Sequence, residues 1–299
     1  MAATKDTDYQ ALCETLEKMK IGSGEWKNRL IYGDNLLAMQ ALLAGDPESG
    51  LSSMRGKIDL IYIDPPFDSK ADYRTKIELP GGTVESKPTV IEQFAYADTW
   101  SGEVGGEEVK GTLAYLRYMY PRLSLMRELL SESGNLFVHI GVQTSHYVKV
   151  LLDDIFGKEN FVNEIIWSYG SPSGGRAAGS KLVKINEYIL QYAKNYPQRI
   201  SNKIYLPYSE KYLKERFTET DEQGRRYRTR ERGDGTIEKQ YLDESPGVPL
   251  STVWAGIPAT YAIHFMKRKE EEVGYDTQKP EALLKRIRPK KDVWRRACA

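Results

Sequence analysis

Asp59-Leu60-Ile61-Tyr62-Ile63-Asp64-Pro65-Pro66-Phe67 is an apolar run that ends in an acid, two prolines and an aromatic ring. A nearly unbroken apolar run of this length reads as a strand buried on both faces, the kind that fills parallel sheets. Proline has no N–H to give a sheet ladder and its ring fixes φ, so the strand stops at Asp64. Open α/β sheets bind ligands at the carboxyl ends of their strands, which puts Asp64 and Phe67 at the mouth of a pocket.

Upstream, Asn28-Arg29-Leu30-Ile31-Tyr32-Gly33-Asp34-Asn35-Leu36 reads as a short strand, a Gly-Asp turn and the start of a helix that continues through Met39, Leu42 and Leu43. Downstream, Leu113, Leu116, Met119, Tyr120, Leu123, Met126 and Leu130 recur every three or four residues, as on one helix face, and Gly134 ends that helix before a strand at Asn135–Ile140. Strand, helix and strand in alternation imply an α/β fold with a parallel sheet.

In this setting Asp64-Pro65-Pro66-Phe67 resembles the catalytic motif of the amino-methyltransferases, which methylate the exocyclic amine of adenine or cytosine. Tyr120-Pro121-Arg122-Leu123, Leu152–Gly157, Glu159-Asn160-Phe161 and Asn186–Lys194 are similar to that family's connecting blocks, and Gly274–Leu284 to the block that introduces its cofactor-binding half. These blocks follow the order of the permuted (beta-type) subgroup, which includes the modification subunits of type III restriction systems. The resemblance implies a Rossmann-like sheet with helices on both faces, S-adenosylmethionine as cofactor and double-stranded DNA as substrate. It implies adenine N6 as the methylated atom, with cytosine N4 as the alternative. It also assigns catalysis to Asp64, Pro65, Pro66 and Phe67, and cofactor contact to Asp34, Thr277, Gln278, Lys279 and Pro280.

The chemistry suits those residues. An exocyclic base amine is a poor nucleophile, because its lone pair is delocalised into the ring, and in a duplex it is also paired. Base flipping solves access, and Phe67 offers a flat face on which a flipped base stacks. The Asp64 carboxylate and the Pro65 carbonyl, held by the rigid Pro-Pro pair, together accept both amine hydrogens, aim the lone pair and stabilise the positive charge that grows on nitrogen.

In the family, a strand and a glycine-rich turn, Asp-Pro-Phe-x-Gly-Ser-Gly, follow the Thr-Gln-Lys-Pro helix. Here Ile287 is followed by Arg288-Pro289-Lys290-Lys291-Asp292-Val293-Trp294-Arg295-Arg296-Ala297-Cys298-Ala299, which has neither glycines nor strand alternation. The cofactor half is therefore expected to be incomplete and the edge of the Asp64 strand to lack a neighbour. Such an edge promotes aggregation unless a complementing chain, a homodimer partner or a restriction subunit, covers it. The alternative function is a non-catalytic DNA-binding fragment that needs a second polypeptide.

Four regions are expected: an N-terminal extension at 1–25, a catalytic core at 26–169, a target-recognition insert at 170–253 and the start of the cofactor-binding half at 254–299. The balance of 43 basic against 42 acidic residues identifies no partner, but arginines cluster locally. Arg225, Arg226, Arg228 and Arg230, with Arg176 and Lys181 nearer the start of the insert, are the expected DNA contacts. Residues 77–111 read as a polar loop over the pocket or a surface insertion. Cys13 and Cys298 fit a reducing cytoplasm, and His139, His146 and His264 are too scattered to suggest a metal site. No signal peptide or membrane span is evident.

Overall fold

The computed structural model describes residues 29–47, 50–66, 75–79, 82–86, 101–104, 107–169, 182–258, 278–287 and 297–298. The N-terminal extension, Phe67, Arg176, Lys181 and Thr277 lie outside them. In chain order the elements are α1 (Asn35–Ala44), β1 (Ile58–Ile63), β2 (Thr75–Leu79), β3 (Gly82–Ser86), β4 (Ser101–Val104), β5 (Glu107–Lys110), α2 (Thr112–Leu129), β6 (Leu130–Ile140), α3 (Ser145–Phe156), β7 (Phe161–Ser168) and β8 (Asn186–Ala193). They continue with β9 (Tyr205–Leu206), α4 (Glu210–Arg216), β10 (Glu219–Thr220), β11 (Arg226–Glu231), β12 (Ile237–Tyr241), β13 (Val248–Pro249), β14 (Val253–Trp254), α5 (Glu281–Ile287) and β15 (Ala297–Cys298).

One compact unit comprises residues 1–200 and 253–299 and is built on a six-stranded sheet in the order β14-β7-β8-β6-β1-β15. β1 and β6 run parallel, as do β7 and β14, but β8 is antiparallel to both its neighbours. The sheet is therefore mixed, not parallel as the strand–helix–strand alternation suggested. An apolar run reports burial but not direction, so β8 read the same either way.

Alternation divides the sheet into two faces. Ile61, Leu136, Val138, Ile140, Leu190 and Tyr192 pack on one, against Met39 and Leu43 of α1, Met119 and Leu123 of α2, and Val148, Leu152 and Phe156 of α3. Leu60, Tyr62, Phe137, His139, Ile189 and Trp167 take the other face, consistent with the pairings Tyr62↔Phe137, His139↔Ile189 and Trp167↔Glu187. Trp167 donates its indole N–H to the Ile257 carbonyl at 2.9 Å on that side.

Helix termini follow the residues. The Asp34 carboxylate caps α1 by accepting the Leu36 N–H at 2.7 Å. Gly45 ends α1 at φ 69°, where a Cβ would stand 2.6 Å from the Ser53 backbone nitrogen, so only glycine fits.

On α3, the Asp153 carboxylate accepts Lys149 Nζ at 2.8 Å and the fully buried Tyr192 hydroxyl at 2.6 Å. Burial works against the charge, but these two donors hold the Asp153 carboxyl below its ordinary value. Tyr192→Phe is expected to lower the unfolding free energy by about 1–2 kcal/mol in urea titrations at neutral pH. A depressed carboxylate contributes stability that is lost as pH falls through its folded value, so the deficit of the variant should shrink in acid.

Two further expectations are corrected. Residues 77–111 are not simply a loop, because β2 pairs with β3 and β4 with β5 as antiparallel hairpins. Thr-Lys-Ile-Glu-Leu at 75–79 has the period-two pattern of a strand, masked by the polar composition around it. The β1 edge is also paired over a short length: Leu60 and Ile61 lie beside Ala297 and Cys298 in parallel register. Backbone groups make that ladder, so it does not need alternating side chains.

The second unit, residues 201–252, holds the antiparallel sheet β10-β11-β12, the pair β9-β13 and α4. Its centre is Phe217, fully buried, with the Tyr208 ring 5.3 Å away. Its boundary differs from the 170–253 expected for an insert, since β8 within that range is a strand of the main sheet. Among the described residues no helix is long and apolar enough to cross a membrane.

Candidate active site

Asp64 follows the last residue of β1, where Pro65 and Pro66 end the ladder, and its side chain is 27% exposed. Alternation puts it on the same face as Tyr62. On adjacent β6, His139 is completely buried on that face, and on β8 Glu187 reaches it from two residues before Ile189, the partner of His139. Lys279, far along the chain and two residues before α5, enters from outside the sheet.

These five side chains form one continuous chain of contacts. The Tyr62 hydroxyl lies 2.7 Å from His139 Nδ1, and His139 Nε2 lies 2.7 Å from Glu187 Oε2. Lys279 Nζ stands 3.6 Å from the same Glu187 oxygen and 3.4 Å from Asp64 Oδ2. One ammonium is thus shared by two carboxylates.

The two carboxylates are affected in opposite directions. Burial pushes the Asp64 carboxyl above its ordinary value, and the Glu187 charge adds to this, while Lys279 and His139 pull the other way without cancelling it. Burial would raise Glu187 as well, but the hydrogen bond from His139 and the Lys279 ammonium hold it below its ordinary value. Burial, with both carboxylates nearby, pushes the Tyr62 phenol far up, so it stays protonated. The protonated Tyr62 hydroxyl faces Nδ1 and the Glu187 carboxylate faces Nε2, so both ring nitrogens of His139 are engaged.

Of the residues singled out in the sequence, Asp64 and Lys279 are brought into contact, with Pro65, Pro66, Gln278 and Pro280 as their chain neighbours. Asp34 has other partners: besides capping α1 it lies 3.5 Å from Arg122 Nη2. Tyr62, His139 and Glu187 were missed. The signal for Tyr62 was its position two residues before Asp64, and for His139 a lone imidazole inside the run Leu-Phe-Val-His-Ile.

The sequence matches the DNA methylase family over residues 58–287. The chain belongs to that family. All five clustered residues fall within the matched range. The chain is 29% identical to the type II methyltransferase M.EcaI of Enterobacter cloacae over 197 residues, which cover 66% of this chain and 36% of that protein. It is 28% identical to the StyLTI Mod subunit, a type III restriction-modification enzyme of Salmonella typhimurium, over 197 residues covering 66% of this chain and 28% of that subunit. The chain thus spans about a third of the length of these relatives. A solved structure titled PvuII DNA methyltransferase, cytosine-N4-specific, aligns with 62% of this chain at 10% identity and a TM-score of 0.33, too slight a likeness to carry an argument.

The arginine cluster lies in the second unit, where most of it is engaged internally. Arg225 pairs with Asp243 at 2.8 Å and also with Glu244, and Arg226 donates to the Leu213 and Phe217 carbonyls at 2.7 and 2.8 Å. Arg228 donates to Gln240 at 2.8 Å and to the Tyr212 hydroxyl, which its guanidinium also approaches over the ring. Arg230 is exposed. No group of three or more His, Cys, Asp or Glu side chains among the described residues is arranged to hold a metal ion.

Proposed function

We propose that this chain is the catalytic part of an S-adenosylmethionine-dependent DNA methyltransferase that acts on adenine N6 in a restriction-modification context. The observation that carries the reading is the contact between Asp64, at the carboxyl end of β1, and Lys279, from the Gln278-Lys279-Pro280 segment. It joins the expected catalytic and cofactor segments of a DNA methylase at one place.

The residues present fit the cofactor. Its positive sulfonium centre suits a site with two carboxylates, and the Lys279 ammonium and Gln278 amide are donors matched to an amino-acid carboxylate. When bound, the cofactor supplies an electrophilic methyl group. Asp64 accepts a hydrogen bond from the target amine, and the Pro65 carbonyl accepts the second. The lone pair then points away from both acceptors, and the Asp64 charge stabilises the cationic nitrogen as the new bond forms. The proton shed afterwards leaves through that same hydrogen bond.

Double-stranded DNA is the proposed substrate, and a second copy or a restriction subunit the proposed partner, supported by the family and by the type III Mod relative. The deciding test is transfer of labelled methyl groups from S-adenosylmethionine to duplex DNA, followed by nucleoside analysis. N6-methyladenine is expected. N4-methylcytosine would move the target to cytosine, and the absence of any transfer, with salt-dependent retention of DNA, would leave a binding fragment.

Arg230 is proposed as a phosphate contact, with Arg225, Arg226 and Arg228 building the surface that presents it, and Arg176 and Lys181 as further contacts. Arg230→Ala should then lessen the slope of log binding constant against log salt by about 1. Arg225→Ala should act on the stability of the unit instead, which a salt series and a melt on the same samples would separate.

A further inference from the structure

We propose that Glu187 is a positioning residue for Asp64: anchored by His139 and Tyr62, it draws the Lys279 ammonium partly away from Asp64 and so sets how strongly Asp64 accepts a proton or hydrogen bond. The inference deepens the reading of Asp64 as the reactive carboxylate and rests on it. Glu187 acts on Asp64 through Lys279.

The geometry makes the competition explicit. Lys279 Nζ is nearly equidistant from the two carboxylates, at 3.4 Å from Asp64 and 3.6 Å from Glu187. A lysine with one carboxylate partner would close on it to a normal charged hydrogen bond of about 2.8 Å. Here the Glu187 oxygen that faces Lys279 also faces His139 Nε2, at 2.7 Å, and His139 is in turn fixed by Tyr62. The ring of His139 is completely buried and lies edge-on to Trp167 with centroids 5.5 Å apart, so it has little room to follow a moving carboxylate. Glu187 is thus the rigid member of the pair, and Asp64, at a strand end beside solvent, is the adjustable one.

Among the described residues, the titratable groups that face Asp64 are Tyr62 on its own strand, His139 on β6, Glu187 on β8 and Lys279 before α5. Removing the Glu187 charge acts on Asp64 twice, and both effects have the same sign. A repelling carboxylate is lost, and the ammonium no longer has Glu187 drawing it away from Asp64. Both favour the charged form of Asp64, so its midpoint must fall.

The test follows the Asp64 carboxyl carbon by NMR through a pH titration of the full chain, with no cofactor or DNA present. Glu187→Gln, which keeps the size and an acceptor for His139, should lower the Asp64 midpoint by about one unit. Glu187→Asp, which restores the charge, should return it most of the way. Lys279→Gln should raise it and serves as the second arm if Glu187→Gln does not fold. An unchanged or raised midpoint in Glu187→Gln, or an unchanged one in Lys279→Gln, overturns the proposal. Methyl transfer by the unmodified chain is measured separately. Its absence beside the expected shifts would sink the enzymatic reading and leave the coupling standing, whereas its presence without the shifts would sink the coupling alone.

Discussion

Asp64→Ala is expected to reduce methyl transfer by about 10²–10³-fold while DNA retention stays near that of the unmodified chain, because the loss falls on the transition state and not on phosphate contacts. The carboxylate has two tasks in the proposed chemistry, orienting the amine and stabilising the charge that develops on it. Alanine removes both. Asp64→Asn keeps one acceptor oxygen but no charge, and its amide N–H groups clash electrostatically with an incoming amine, so it should recover little. Because burial raises the Asp64 carboxyl, the acid limb of the rate should lie above the about 3.9 of an exposed aspartate, with activity lost as pH falls through the raised midpoint and Asp64 gains a proton. A rate unaffected by Asp64→Ala would remove the carboxylate from the mechanism.

Leu136→Ala is expected to cost about 3 kcal/mol of unfolding free energy, within the usual 2–5 for a large-to-small change in a packed core. Leu136 is fully buried in the middle of β6, between Ile61 on β1 and Tyr192 on β8, and faces the helical layer. Central strands held on both sides cannot close around a lost side chain, so most of the cavity remains. The same strand carries His139 three residues on, so the variant should also loosen the active cluster. Urea unfolding followed by far-UV circular dichroism measures the first effect. A cost below about 1 kcal/mol would mean that β6 is less constrained than its burial indicates.

The run at Leu60–Ile63 and the following prolines were enough to predict β1 and its carboxyl end, because burial and chain termination are local properties. The helical spacing of Met119, Leu123 and Met126 likewise matched α2, where these side chains form the buried stripe. The direction of β8 was not legible, since Tyr188–Ala193 reads as apolar in either orientation and only its place between β6 and β7 settles it. The internal partners of the arginine cluster were not legible either. Composition marks it as a basic stripe, but Asp243, Glu244, Gln240 and the end of α4 engage Arg225, Arg226 and Arg228 from up to 19 residues away.

By itself the sequence determined that this chain is built on an α/β sheet and belongs with the DNA methylases, because an apolar strand, its proline stop and the order of the surrounding blocks are written contiguously. Only the tertiary structure decided which side chains join Asp64. Tyr62, His139, Glu187 and Lys279 lie on three strands and a distant segment, and nothing in their local surroundings reports that sheet pairing puts them in contact. The opposite shifts of the two carboxylates also depend on those long-range distances, since burial raises both, the Glu187 charge adds to the rise at Asp64, and the hydrogen bond from His139 with the Lys279 ammonium brings Glu187 down.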